Sequence, residues 1–459
     1  MSEHPLHDPA YRRDLGGGLV LRWSTPADYE RLAELYSYVF RERAEDPLNT
    51  RVAAWTRDLI SGRHPLIEPG DFALVEETAR GTIVAATCLM WQVWDYAGIS
   101  FPIGRPEIVA THPDYRNRGL IRAIFELIHA RSAARGHMAQ AITGIAYYYR
   151  QFGYEYALDL SGTRRVYLSA IPKLKEGEQE LYTLRDATLE ELPLVLQLYE
   201  RERTRVEGGF PILVSTRIGE DYWRFTFDGH SPESGEGWRT HFIQDRERQP
   251  LGYVLTKHTR WDDMLPVVGM AVQPGVSLLA VMPSVLRALQ QLAPTVPTGR
   301  PDGPSANTIG FVLGRSHPAY TALGDSLASR YNPPYAWYVR VPDLPAFIRH
   351  IAPALEQRLA ASPFSGHSGE MKLDFYRGGL RLVFENGRLA AAEDWRQSPA
   401  WGPRPQAGFP PLVFLQLLFG HRSLAELRHA FPDVWADDVA SKLLDALFPP
   451  RISWVMPLD

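Results

Sequence analysis

Cysteine is almost missing from this chain of 459 residues: Cys88 is the only one, so no internal disulfide can form. Set in the apolar run Ile83 to Trp91, Cys88 reads as a small buried hydrophobe. Net charge is small as well, formally −4 from 49 basic and 53 acidic residues. With its basic residues scattered among acids, the chain has no electrostatic reason to bind nucleic acid. No apolar run reaches the ~18 residues of a spanning helix. Met1-Ser2-Glu3-His4-Pro5 lacks a basic-then-apolar leader pattern, so a soluble cytoplasmic protein without membrane contact is expected. Gly-x-Ser-x-Gly is absent, which removes serine hydrolase chemistry. No His/Cys/Asp cluster has metal-ligand spacing, so no metal is expected.

What is present is length for two or three domains. Ser24-Thr25-Pro26 caps an early helix whose Leu32, Leu35, Tyr36 and Val39 share a face. Phe72 to Glu76, Thr82 to Trp94 and Ile99 to Thr111 read as strands. A helix from about Leu120 to Arg135, a strand near Met138 to Ile142 and a tyrosine-rich segment complete an α/β unit ending near Leu174.

The most telling stretch lies between the extended run Glu107 to Thr111 and the helix at Leu120. Arg116-Asn117-Arg118-Gly119-Leu120-Ile121 feeds a strand through a basic, glycine-containing turn into a helix N-terminus. Free backbone N–H groups and the positive end of the helix dipole converge there, which suits a phosphate. Gly119 permits close backbone approach; an ordinary surface loop is the alternative. About thirty residues on comes Tyr147-Tyr148-Tyr149-Arg150-Gln151-Phe152-Gly153-Tyr154.

The early-helix pattern recurs: Leu21-Arg22, Thr25, Asp28, Leu35 and Tyr36 match Leu184-Arg185, Thr188, Glu191, Leu198 and Tyr199 without gaps, which predicts a second copy of the fold. Ala271-Val272-Gln273-Pro274 then corresponds to Ala110 to Pro113, yet Gly275 to Ala280 offers no counterpart of Arg116, Arg118 or Gly119. Thr295 to Asn307 is rich in turn formers and reads as the tip of this copy. A third region starts near Asp343, with a helix over Phe347 to Leu359, strands Met371 to Tyr376 and Leu380 to Phe384, a hairpin at Asn386-Gly387, and helices Leu412 to Phe419, Leu424 to Phe431 and Val439 to Phe448.

The loop and the tyrosine segment together resemble GNAT acetyltransferases, whose pyrophosphate loop reads Arg/Gln-x-x-Gly-x-Gly/Ala. Ile121 departs from the small sixth residue, a departure that resembles the enhanced-intracellular-survival (Eis) subgroup. The resemblance implies an α/β fold with a GNAT domain at 1–175, a degenerate GNAT-like domain at 176–342 and a sterol-carrier-like domain at 343–459. It implies acetyl-CoA as co-substrate, held by Val109, Ala110 and Thr111 on one side, Gly144 and Ile145 on the other, and Arg116, Asn117, Arg118, Gly119, Leu120 and Ile121 at the pyrophosphate. It further implies a primary-amine acceptor, on a small polyamine or aminoglycoside-like molecule or a lysine side chain, and a homo-oligomer, a hexamer in that subgroup.

Tyr149 matches the tyrosine of the family's Tyr-x-x-x-Gly-Phe/Tyr pattern; a phenol of ordinary pKa near ~10 stays protonated at pH 7 and can donate to a thiolate. Tyr149 as a core aromatic is the alternative. Phe40 and Glu42 align with the Eis substrate pocket, with a solvated face the alternative for Glu42. His112 is either a base or a hydrogen-bonded surface residue. The chain end, Pro449 to Asp459, is apolar and proline-stiffened, so something should bury it. By the resemblance its α-carboxylate reaches the first domain's site near Tyr149, with Asp459 adding a second carboxylate; the alternative is a tail that merely packs Trp454 and Leu458. A reading from a different class is a lipid or sterol carrier with a vestigial GNAT portion.

Overall fold

The computed structural model describes residues 4–207, 209–299, 303–397 and 404–458. The chain begins with β1 (Arg12–Gly16), β2 (Leu19–Trp23), α1 (Tyr29–Val39), α2 (Thr50–Ile60), β3 (Phe72–Glu77), β4 (Thr82–Tyr96), β5 (Ile99–Thr111), α3 (Leu120–Ala134), β6 (Ala139–Ile142) and β7 (Glu155–Leu160). β4 is apolar along most of its length because both of its faces are covered. Ile83, Ala86 and Cys88 pack with Leu32, Tyr36 and Leu59 of α1 and α2, while Val84, Ala85 and Leu89 pack with Leu120, Ile124 and Leu127 of α3. Burial pushes the Cys88 thiol well up, so it stays protonated and acts as a small apolar side chain.

The next stretch holds β8 (Thr163–Tyr167), β9 (Thr183–Asp186), α4 (Leu192–Arg203), the ribbon β10 (Val206–Glu207) and β11 (Phe210–Pro211), β12 (Val214–Arg217), α5 (Glu220–Asp228), β13 (Trp238–Gln244), β14 (Pro250–Lys257), β15 (Met264–Val272), α6 (Leu278–Leu292), β16 (Thr308–Phe311), α7 (Pro318–Leu323), β17 (Arg330–Asn332) and β18 (Tyr335–Arg340). Two large sheets result, ordered β1-β2-β3-β4-β5-β6-β18-β7 and β17-β8-β16-β15-β14-β13-β9. Against the expected boundary near residue 175, β8 passes to the second sheet and β12 and β18 pass to the first. β8 lies between β16 and β17, β18 lies between β6 and β7, and β12 lines the far end of β4.

The two matching sequence stretches make the same local contacts. Arg22 is bidentate to Asp28, at 2.7 and 2.8 Å, and the Thr25 N–H donates to the same carboxylate at 2.8 Å. At the second copy Arg185 holds Glu191 at 2.8 Å, and the Thr188 N–H donates to it at 3.0 Å. In both, an arginine on the second strand neutralises the acid that closes a capping box, which orients the first helix against the sheet. Of the expected tip, residues 300–302 lie outside the described residues.

Last come α8 (Leu344–His350), α9 (Ala352–Ala360), β19 (Gly369–Asp374), β20 (Gly379–Glu385), β21 (Arg388–Asp394), β22 (Ala407–Gly408), α10 (Phe414–Leu418), α11 (Leu424–Ala430), β23 (Trp435–Ala436) and α12 (Asp438–Leu447), around a sheet ordered β21-β20-β19-β22-β23. The single helix expected over Phe347 to Leu359 is two. Pro353 in the first turn of α9 supplies no N–H and clashes with the carbonyl four residues back, so the chain breaks at Ile351. Asn386-Gly387 forms the expected two-residue turn, with Glu385 opposite Arg388 and φ of 50° and 78°, the left-handed pair such hairpins need. Among the described residues no helix is long and apolar enough to cross a membrane.

Burial alone would raise the Asp28 pKa, yet hydrogen bonds from Arg22 and the Thr25 N–H prevail and hold it at about 2. The unfolded value is near ~3.9, so this carboxylate adds stability above about pH 4 that is lost as pH falls toward 2, an effect on the order of 2 kcal/mol. Asp28→Ala leaves Arg22 buried without its main partner; it should cost about 3–5 kcal/mol in a denaturant titration at pH 7 and clearly less near pH 2.

Candidate active site

β5 and β6 pair in parallel at only two places, Ile103 with Ala139 and Gly104 with Gln140, and then part. A bulge drives the separation. The β4 partner register slips between Ala86 and Cys88, and opposite it Ile108 adopts φ 51°. The extra residue bends β5 away from its ladder, while the Glu107 carbonyl stays tied by the Thr87 hydroxyl at 2.7 Å. Beyond the bulge a groove of about 710 Å³ opens.

Nearly all the residues expected to hold a co-substrate line this one groove. Val109, Ala110 and Thr111 form one wall, Ile145 the other, and Arg116, Asn117, Arg118, Gly119, Leu120 and Ile121 one end. Gly144 adjoins it with φ 120°, where a Cβ would lie 3.9 Å from the Tyr149 hydroxyl. Phe40 lines the same groove, whereas Glu42 stands exposed in the loop between α1 and α2. His112 caps the turn after β5, accepting from the Asp114 N–H at 3.4 Å, and stacks half-buried on Tyr38.

The groove's basic end is built for an anion. Gly119 caps α3 in the left-handed conformation with φ 74° and no side-chain cap, so the first-turn N–H groups face the groove, and Asn117 also has positive φ, 62°. α6, which follows the Ala271 to Pro274 stretch matching Ala110 to Pro113, has the same length but is capped by Ser277, whose hydroxyl accepts from the Ala280 N–H. That hydroxyl takes up a donor that a phosphate would need. The two helix starts therefore differ in chemistry, not only in their arginines.

Tyr149 sits in a short 3₁₀ turn, Tyr148–Phe152, and is buried with Phe125, Ile142, Tyr154 and Tyr338. Burial, then the negative charge of Glu107, push its phenol well above the ordinary range, so it remains protonated at any working pH. Tyr338, from the annexed β18, donates to the Ile145 carbonyl at 3.0 Å and meets Tyr156 at 2.7 Å, which fixes the wall opposite Val109. Sequence reasoning missed Tyr338, since nothing local places residue 338 beside residue 145.

On the other side of the parted strands lies a cavity of about 310 Å³. Glu107 and Thr143 line it, each two residues before the groove-lining Val109 and Ile145. Its remaining walls include Trp55 and Asp159 from the first sheet's stretch, Glu236, Trp238, Lys257 and Trp261 from the second, and Ser453 to Pro457 of the tail. Sequence reasoning missed Glu107 too, although a carboxylate within an apolar strand is a signal; the second-sheet residues carried none.

The tail is buried, as its composition predicts. The Trp454 N–H donates to the Val214 carbonyl at 2.8 Å, Met456 and Thr216 bond at 3.0 Å, and Arg105 grips the Leu458 carbonyl. Asp459 lies outside the described residues.

Residues 21–157 match the family model described as an acetyltransferase (GNAT) domain. No curated protein matches the chain. Solved structures share its fold over nearly their whole length. A GCN5-related N-acetyltransferase from Kribbella flavida is 20% identical with a TM-score of 0.61, covering 96% of this chain and 98% of that one. A probable N-acyltransferase from Enterococcus faecalis V583 is 14% identical with a TM-score of 0.63, over 96% and 99%. Eis1 from Mycobacterium abscessus is 15% identical with a TM-score of 0.56, again over 96% and 99%. The chain therefore carries a GNAT acetyltransferase domain at residues 21–157 and is an acetyltransferase with a mixed α/β fold.

Proposed function

We propose that the chain is an acetyl-CoA-dependent N-acetyltransferase of Eis type, acting on a primary amine. The family resemblance offers small polyamines, aminoglycoside-like molecules and lysine side chains as acceptors. The observation that carries this reading is the uncapped start of α3 at the end of the groove between the parted strands, with the Tyr149 phenol beside Gly144. Acetyl-CoA supplies an activated acyl group as a thioester. The N–H groups after Gly119 and the arginines around it bind the pyrophosphate, and the parted edges at Val109 to Thr111 and Gly144 to Ile145 orient the pantetheine arm.

An acceptor in the 310 Å³ cavity reaches the thioester carbon between Glu107 and Thr143. Glu107 stabilises the incoming ammonium, and the α-carboxylate of Asp459, given this role by the family resemblance, takes its first proton directly or through water. As the N–C bond forms and the C–S bond breaks, Tyr149 donates its proton to the departing thiolate and is recharged by the second proton of the amine. The reading includes a second, degenerate GNAT-like unit at 176–342 that closes the cavity, a sterol-carrier-like unit at 343–459, a cytoplasmic setting and a hexameric assembly. Each of these rests on the family resemblance.

Acetyl-CoA at 100 times its Kd should stabilise the protein by about 2.7 kcal/mol, read as a rise in Tm. Gly119→Val places a β-branched residue at φ 74° beside the diphosphate and should abolish that rise while the fold persists; unchanged affinity in calorimetry would remove the loop from the donor site. Titration should also find one acetyl-CoA per chain, because Ser277 caps the second helix. Tyr149→Phe should lower kcat about 100-fold or more with acetyl-CoA binding intact. Removing Leu458 and Asp459 should likewise cut kcat while acetyl-CoA still binds, and full activity would take the terminus out of the mechanism.

A further inference from the structure

The acceptor cavity has a composition that narrows its ligand. Four tryptophans line it, Trp55, Trp238, Trp261 and Trp454, of which Trp261 stands half-exposed at the rim. Its described carboxylates are three, and each is already engaged by a cation. Arg105 holds Glu107 at 2.5 Å, Lys257 holds Glu236 at 2.6 Å, and Arg315 holds Asp159 at 2.6 Å.

Resting on the transfer reading above, we infer that the acceptor is a small primary amine bearing one positive charge on an aromatic body. Size agrees: about 310 Å³ is at the lower end of small-molecule sites, which run from ~300 to ~1,000 Å³. Charge agrees as well. A polycation entering this cavity gives up the hydration of several ammonium groups, and each needs a carboxylate not already committed to a guanidinium or a lysine. The described walls are charge-balanced pair by pair, and the terminal carboxylate of the transfer reading is committed to the attacking amine, so further ammonium groups meet Arg105 and Lys257 as like charges. A single ammonium needs only the stretch of wall at Glu107, where the thioester carbon is reached. The rest of the ligand then lies against indole faces, which stack on an aromatic ring and attract a nearby cation by about 0.5–2 kcal/mol.

Steady-state kinetics on the full chain test this with 2-phenylethylamine and spermidine as acceptors. We expect kcat/KM for 2-phenylethylamine to exceed that for spermidine by about tenfold or more, corresponding to roughly 1.4 kcal/mol. Trp261→Ala, at the exposed rim where the fold tolerates truncation, should lower the 2-phenylethylamine value by about tenfold and change the spermidine value less than about twofold. Lys257→Met, which frees Glu236 from that cation, should raise the spermidine value. Equal or greater activity on spermidine in the parent protein, or an equal loss for both amines in Trp261→Ala, overturns the inference and leaves acetyl transfer standing. If neither amine is acetylated although acetyl-CoA binds, calorimetric titration of 2-phenylethylamine into the CoA-loaded protein decides, and absence of binding overturns the aromatic-amine class. Failure of acetyl-CoA itself to bind overturns the transfer reading and this inference with it.

Discussion

The parting of two strands organises this molecule. β5 and β6 begin as neighbours and separate after Gly104 because a bulge at Ile108 turns β5 out of the ladder. A sheet that stayed closed there would satisfy its own backbone groups and leave no slot through the layer. Opening it frees N–H and C=O groups on two edges, and a folded protein tolerates that only where something else bonds to them. The groove with its basic end lies beyond the slot, the tryptophan-lined cavity lies before it, and Tyr149 is buried beside Gly144, just past the end of β6. Every chemical role argued for this chain is set by distance from that slot.

The two matching clasps frame a contrast internal to the chain. The Arg22–Asp28 and Arg185–Glu191 clasps hold corresponding helices to corresponding strands, so the frames are alike. The difference is small and local: glycine in the left-handed conformation at one helix start, serine in an extended one at the other. A hydroxyl that satisfies its own helix cannot offer that helix's donor to a ligand. The second sheet instead lends Trp238 and Lys257, with Glu236 and Trp261 beside them, to the wall of the cavity.

Sequence periodicity carried much of this. β3, β4, β5 and α3 stand where alternation and helical spacing put them, because a buried sheet needs apolar runs and an amphipathic helix needs one apolar face. Val109, Thr111, Gly119 and Ile145 were legible because strand end, turn and helix start are contiguous in sequence. Tyr338, Trp238 and Lys257 were not, since they reach the site through strand exchange and inter-unit packing, neither of which leaves a local pattern. Glu42, placed by resemblance alone, stands exposed outside the groove that Phe40 lines. The break at Ile351 was foreseeable from Pro353, whose missing N–H carries more weight than the apolar spacing around it.

The exchange of β8 and β18 between the two large sheets governs the order in which the protein can be made. When the ribosome has delivered β6 and β7, which ends at Leu160, the strand that belongs between them starts only at Tyr335, about 9 to 35 seconds later at ordinary elongation rates. During that interval both strands present open edges that could pair wrongly. Such a long-range closure also slows folding, since the intervening chain must be gathered before the contact forms. The wall that Tyr338 braces is thus among the last parts of the first sheet to be completed, and the tail that seals the cavity follows more than a hundred residues later. The nascent chain spends most of its synthesis without a finished site.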